Sequence, residues 1–214
     1  MVVHDDPWIE ASDVVSMFPT LVWKLQLAPA LSETIDGKML AALEAQRRGL
    51  PALETGQGWQ SEQTLHRRAE FSELVACVGR LATGVLRFLR IGSDGLEITA
   101  CWATVLAPGA EHRVHSHPNN YLSGVYYLRA LPGANAIYFH DPRPQTGVIR
   151  PPVTALTAEN TDQVVVPVAE GTLLLFPSYL AHSVPANTGD GERISVSFNL
   201  MFPAFAENLS KPLW

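Results

Sequence analysis

Arg113-Val-His-Ser-His-Pro-Asn-Asn-Tyr-Leu-Ser-Gly-Val-Tyr-Tyr-Leu-Arg129 is two extended runs separated by a turn. Pro118-Asn119-Asn120 supplies the turn chemistry, so Arg113–His117 and Ser123–Arg129 read as successive β-strands. The i, i+2 spacing of His115 and His117 places both imidazoles on one face of an extended strand, as a chelating pair requires. The turn follows at once, so the pair sits at a strand end where solvent and substrate reach it. Taken alone, the same spacing also describes two surface histidines at a turn. His112 stands at an odd offset from both and is expected to point the other way. In the second run, an inward Tyr127 turns Val125 and Ser123 inward as well and Tyr126 to the opposite face.

Outward from this stretch the same punctuation continues. Short runs rich in Val, Ile, Leu, Tyr and Phe are divided by Pro, Gly, Asn and Asp from Leu96 to Phe202. The candidate strands are Glu97–Ala107, Arg113–His117, Ser123–Arg129, Ala136–His140, Gln163–Val166, Thr172–Phe176, Ala181–Pro185 and Arg193–Phe202. Eight such strands after a helical preamble give a mainly β chain with N-terminal helices. The expected architecture is a double-stranded β-helix (jelly-roll, cupin-like) core with the helices packed on one sheet.

The preamble has a different texture. Ser32–Arg48 reads as a helix with Ser32 as N-cap and Ile35, Met39, Ala42 and Leu43 near one face. Ala69–Ile91 carries Leu74, Val78, Ala82 and Val85 at helical spacing, with Gly92 as the stop. Gly49–Arg68 between them reads as loop, and Met17–Leu27 ahead of them as a strand. The chain is expected to be one domain, 1–214. Residues 1–95 are support, 96–203 the jelly-roll core and 204–214 a tail. Asp141–Asp162 has little periodicity and is the expected mobile loop or lid.

The 214 residues are 47% hydrophobic and 17% charged, enough for a packed core. A net charge of −6 with no Lys/Arg run argues against nucleic acid as partner. No apolar stretch is long enough for a membrane span, and Met1–Pro7 lacks the plan of a signal peptide. Cys77 and Cys101 make neither a disulfide framework nor a cysteine zinc site, so the expected compartment is the cytoplasm. Of seven histidines, His112, His115, His117 and His140 crowd together, while His4, His66 and His182 stand apart.

A second signal lies downstream. Gly171-Thr-Leu-Leu-Leu-Phe-Pro177 is an apolar strand, followed after a turn by His182 and then by Arg193, which opens Ile194–Asn199. The order is His-x-His, a Tyr-Tyr strand, a distant His, then an Arg heading an alternating strand. It resembles the Fe(II)/2-oxoglutarate-dependent oxygenases. The likeness is closest to the prolyl-hydroxylase-like branch and to bacterial oxygenases carrying an H-x-H-P … SGVYYL signature. It covers roughly residues 97–202, and Met17-Phe-Pro-Thr20 is similar to the same bacterial group.

The resemblance implies a role for each matching residue. His115 and His182 correspond to the two iron-binding histidines, and Arg193 to the residue that pairs with the far carboxylate of 2-oxoglutarate. Tyr127 corresponds to a hydroxyl on the same carboxylate, and Ser195, on the face of Arg193, to a further wall of that pocket. The family pattern is His-x-Asp or His-x-Glu, and here His117 stands in the carboxylate's place. Three readings stay open. His117 completes a three-histidine site, which is preferred; Asp141 supplies a carboxylate; or the metal is lost or replaced by zinc or nickel.

Asn119, Asn120 and Arg143 are candidates for substrate contact, with Arg150 flanking the same loop as Arg143. Trp102 and Thr104 share one face of the preceding strand, as core or as pocket wall. His112 and His140 are read as structural or as supports behind the site's ligands. No catalytic residue beyond the metal centre is indicated. The implied activity is an Fe(II)- and 2-oxoglutarate-dependent dioxygenase with O2 as co-substrate, oxidising a small molecule or peptide. The alternatives are a cupin-like metal-binding module and a 2-oxoglutarate-independent cupin enzyme. An exposed edge strand would allow a homodimer.

Overall fold

The computed structural model of the chain describes residues 8–93, 95–144, 148 and 151–203. His4, Arg150 and the 204–214 tail lie outside the described residues, as does part of the expected lid. Ten strands pair antiparallel into two sheets: β1 (Trp23–Gln26), β2 (Gly58–Gln60), β3 (Glu97–Leu106), β4 (His112–His115), β5 (Leu122–Arg129), β6 (Ala136–His140), β7 (Gln163–Pro167), β8 (Thr172–Pro177), β9 (His182–Val184) and β10 (Arg193–Met201). The larger sheet runs β1-β8-β5-β10-β3-β2 and the smaller β4-β9-β6-β7. This is the expected jelly roll.

Strand alternation divides the core in two. Ile194, Val196 and Phe198 of β10 and Tyr126 of β5 face outward from the larger sheet. There they meet Ile35, Met39 and Leu43 of helix α1 (Pro29–Arg47) and Leu74, Val78 and Val85 of α2 (Ser72–Phe88). The alternate residues Val125 and Tyr127, with Leu174 and Phe176 of β8, pack inward on Ile137 and Phe139 of the smaller sheet. Both helices therefore lie on one sheet, leaving the space between the sheets to the site.

Several boundaries differ from the expectation for identifiable reasons. Helix α1 opens at Pro29, whose missing N–H costs nothing in a first turn. Ser32 does not cap the helix; its hydroxyl donates back to the Pro29 carbonyl. Helix α2 stops at Phe88. Arg90 adopts the left-handed conformation (φ 57°), and the Ile91 N–H returns to the Leu86 carbonyl at 2.9 Å, so Gly92 is not needed as the stop. The segment read as loop, Gly49–Arg68, holds edge strand β2 and a 3-10 turn over Leu65–Arg67 that buries Leu65 completely. Three residues of strand and one turn are too short to generate a period. The N-terminal strand contracts from Met17–Leu27 to β1, and Phe18 ahead of it has a positive φ and is exposed. No helix among the described residues is long and apolar enough to cross a membrane.

Candidate metal centre

His115 ends β4 and His182 opens β9, and the two are register partners across the smaller sheet. His117 lies two residues past His115, just beyond the strand, where its N–H donates to the Ser178 carbonyl at 3.0 Å. The strand therefore ends at His115 rather than at His117, while the pair stays together. The three ring centroids are 4.4 Å (His115–His182), 5.2 Å (His115–His117) and 5.2 Å (His117–His182) apart. One nitrogen from each lies within 4.8 Å of the others.

The ring chemistry suits a metal. The Nδ1 of His115 lies 2.7 Å from the Arg113 carbonyl, and that of His182 lies 2.9 Å from the Leu180 carbonyl. A carbonyl only accepts, so each Nδ1 carries the proton and each Nε2 keeps a free lone pair. Burial, reinforced by neighbouring His115, pushes His117 down to about 4. Burial does the same to His182, also to about 4, partly opposed by the hydrogen bond to Leu180. Both are then neutral at physiological pH, the form in which imidazole ligates. Three imidazoles converging within ligand distance of one another fit Fe(II), zinc or nickel.

Beside the triad stands a buried cation. Arg193 is 3% exposed, and among the described residues no carboxylate comes within salt-bridge distance of it. Its Nε has no partner, nor have the buried hydroxyls of Tyr127 and Thr104. All three residues line the cavity that contains the three histidines. An unpaired buried charge is costly, as is a buried polar atom without a hydrogen bond. An anionic ligand in the cavity removes both costs at once, and a carboxylate matches the planar guanidinium. Burial drives the Tyr127 hydroxyl's pKa up and the Arg193 charge partly offsets this, so it stays protonated and able to donate.

Register explains the convergence. Gln60, Thr104, Ser195 and Tyr127 are successive partners across β2, β3, β10 and β5, and all four line the cavity. Trp102, two residues from Thr104, joins the wall with its ring 5.6 Å from His117. Trp102 and Thr104 are thus pocket wall rather than core. Ser195 lies beside Arg193 on that wall.

The remaining candidates are placed elsewhere. Asp141 is gripped by Arg143 through contacts of 2.6–3.2 Å, and the metal cluster does not include it. Those hydrogen bonds hold its carboxyl below the usual range. Asn119 and Asn120 are not among the cavity-lining residues. Asn119 adopts a positive φ on the turn, and Asn120 bonds Thr99 and the Pro118 carbonyl. Arg143 is exposed and outside the cavity wall too. His140 joins β6 to β9 through Ser183. His112, expected to point away, lines the cavity. Gln60 was missed because β2 carries no periodic signal.

Residues 100–199 match the family described as "Putative 2OG-Fe(II) oxygenase". The match spans 100 of the 214 residues, and over that span the chain is similar to the 2OG-Fe(II) oxygenases. The matched span runs from β3 into β10 and includes His115, His117, His182 and Arg193. Its fold is similar to that of the non-heme alpha ketoglutarate dependent carbocyclase SnoK from nogalamycin biosynthesis. That likeness has a TM-score of 0.62 and 16% identity, over 86% of this chain and 80% of that one. A Pseudomonas putida prolyl-4-hydroxylase matches with a TM-score of 0.56 and 17% identity, over 86% and 93% of the two chains. HygX from Streptomyces hygroscopicus, crystallised with nickel and 2-oxoglutarate, matches with a TM-score of 0.58 and 14% identity, over 86% and 83%. At these identities the likeness concerns the fold. A comparison with curated proteins returns no match to the chain.

Proposed function

We propose that this chain is an Fe(II)- and 2-oxoglutarate-dependent oxygenase that binds Fe(II) through His115, His117 and His182 and takes the far carboxylate of 2-oxoglutarate on Arg193 and Tyr127. The observation that carries this reading is the buried Arg193, with no carboxylate partner among the described residues, in the same cavity as three converging imidazoles. When bound, the iron couples oxidative decarboxylation of 2-oxoglutarate by O2 to a two-electron oxidation of the substrate, leaving succinate and CO2. The protein's own work is placement. Arg193 holds the dianion by a bidentate contact and Tyr127 adds a hydroxyl donor. Ser195 and Thr104 close the polar end of the pocket. Val125, Ile137 and Phe176 keep water from the rest.

Three neutral ligands leave the metal site more positive than two histidines and a carboxylate would. The attraction for a dianionic co-substrate is correspondingly stronger. HygX with nickel and 2-oxoglutarate, and the epimerase SnoN with Fe3+ and alpha ketoglutarate, support the same pairing of ligands on this fold. The related structures include a carbocyclase, an epimerase and a prolyl-4-hydroxylase. The substrate, a small molecule or a peptide, is thus hydroxylated or otherwise oxidised according to how it meets Trp102 and Gln60 at the wall. A metal-binding jelly roll without 2-oxoglutarate would leave the unpaired Arg193 unexplained. Two free cysteines, Cys77 and Cys101, support a reducing, cytoplasmic setting. The open edge of β1 would support a homodimer.

The test is succinate formation from 2-oxoglutarate by the Fe(II)-reconstituted protein, with metal content measured on the same sample. One iron per chain and Fe(II)-dependent succinate release are expected. Iron retention without 2-oxoglutarate binding would favour the metal-binding module instead.

A further inference from the structure

His112 stands three residues before His115, a spacing that on a regular strand turns its ring to the opposite face. The pairing of β4 with β9 shows why it does not. His112 partners Val184 and His115 partners His182, so β4 advances three residues while β9 retreats two. The extra residue is a β-bulge, and a bulge re-aims the side chain next to it. The His112 ring consequently enters the cavity with its centroid 6.0 Å from that of His115, edge to face.

Its surroundings are specific. Its ring meets that of His115 edge to face, and Arg193 lines the same cavity. It therefore shares one cavity with the metal-binding histidines and the guanidinium. Among the described residues, nothing hydrogen-bonds the ring. It is not one of the clustered metal-ligating groups. A half-buried imidazole with one N–H donor and one acceptor, neither used by the protein, is available to a ligand.

Resting on the site proposed above, we infer that His112 is a co-substrate-binding residue, donating a hydrogen bond to a carboxylate oxygen of 2-oxoglutarate. The bulge is what brings this donor to the ligand, so the contact belongs to this chain's own strand geometry. His112 then contributes to 2-oxoglutarate affinity and not to metal affinity.

The experiment separates the two ligands without turnover. Nickel(II) and then 2-oxoglutarate are titrated calorimetrically into wild type, His112→Leu and His112→Asn. The expected result for His112→Leu is a tenfold or greater loss of 2-oxoglutarate affinity with nickel affinity within threefold of wild type. His112→Asn, which keeps a donor, is expected to recover most of the loss. An unchanged 2-oxoglutarate affinity in His112→Leu overturns the inference, and so does an equal loss of nickel affinity, which would make His112 a metal ligand. A second measurement serves if His112→Leu does not fold. In zinc-loaded wild type with 15N-labelled histidine, the His112 ring resonances move on adding 2-oxoglutarate; no movement overturns the inference. Wild type that binds nickel but not 2-oxoglutarate overturns the proposed function itself, a distinguishable outcome.

Discussion

The guanidinium carbon of Arg193 lies 5.0 Å from the centre of the Tyr127 ring, and both side chains are sealed from solvent in the wall of one cavity. The ring's negative face offers the cation some compensation for lost water, on the order of 2 kcal/mol when desolvated. That is less than a buried charge requires. The arrangement holds a positive group ready for an anion.

Arg193→Ala removes that group while leaving the histidines in place. The expected outcome is a loss of 2-oxoglutarate affinity of roughly 100-fold, about 2.7 kcal/mol, with metal affinity unchanged. Arg193→Lys falls between, because a point charge replaces a fork. Calorimetry on the nickel-loaded variants checks both; loss of metal and co-substrate together would show a structural role.

His117 and Asp141 compete for one place in the metal site, and the geometry favours His117. His117→Ala is expected to lower nickel affinity at least 100-fold, again about 2.7 kcal/mol. Asp141→Asn is expected to leave it within threefold. His117→Asp, which restores a carboxylate at i, i+2, should retain metal. The reverse ranking of the Ala and Asn variants would hand the site to Asp141.

Gly124 tests the packing beneath the cavity. A Cβ there would sit 2.4 Å from two atoms of the Phe198 ring and 2.5 Å from the Leu174 carbonyl oxygen. The ring is in the core and the carbonyl belongs to the paired strand β8, so neither yields cheaply. Gly124→Ala is expected to cost about 3 kcal/mol of stability, read as a lower denaturant midpoint. An unchanged midpoint would contradict this packing.

Asp36 makes stability depend on pH. Burial pushes its carboxyl up to about 6; the Tyr126 hydroxyl, donating to Oδ1 at 2.8 Å, pulls it down, and Glu170 adds to the rise. The folded chain thus keeps a proton that the unfolded chain, near 3.8, has released. The stabilising contribution is full below pH 4 and is lost as pH rises through 6. Asp36→Asn still accepts from Tyr126 and carries no charge. It should raise Tm by about 2–4 °C at pH 7.5, screening by solvent limiting the gain. The difference from wild type should shrink towards pH 4. A difference constant with pH would count against this assignment.

Most of the site was legible in residue order, because His115, His117, His182, Arg193 and Tyr127 sit on strands whose alternation is regular or at their ends. The inward placing of Tyr127 with Val125, and of Tyr126 against the helices, follows from alternation alone. His112 was not legible. Its direction depends on a bulge, and a bulge is a property of two paired strands, whereas period 2 is a property of one. Gln60 was hidden because three residues cannot display a period, and Thr104 because core and cavity wall share the same alternating face. The turn residues Asn119 and Asn120 are not among the residues that line the cavity. Polar side chains beside a metal motif invite a ligand role, yet Asn120 spends its amide on the turn and on Thr99.

The central claim, one metal on three histidines with a dianion reaching Arg193, is tested most directly by crystallography. A crystal structure grown with nickel(II) and 2-oxoglutarate, with anomalous scattering to locate the metal, gives the answer in one map. The expected result is a single anomalous peak bonded to the Nε2 atoms of His115, His117 and His182, with the far carboxylate of 2-oxoglutarate on the Arg193 guanidinium. A metal ligated by Asp141 in place of His117, or a 2-oxoglutarate whose far carboxylate lies away from Arg193, would contradict it.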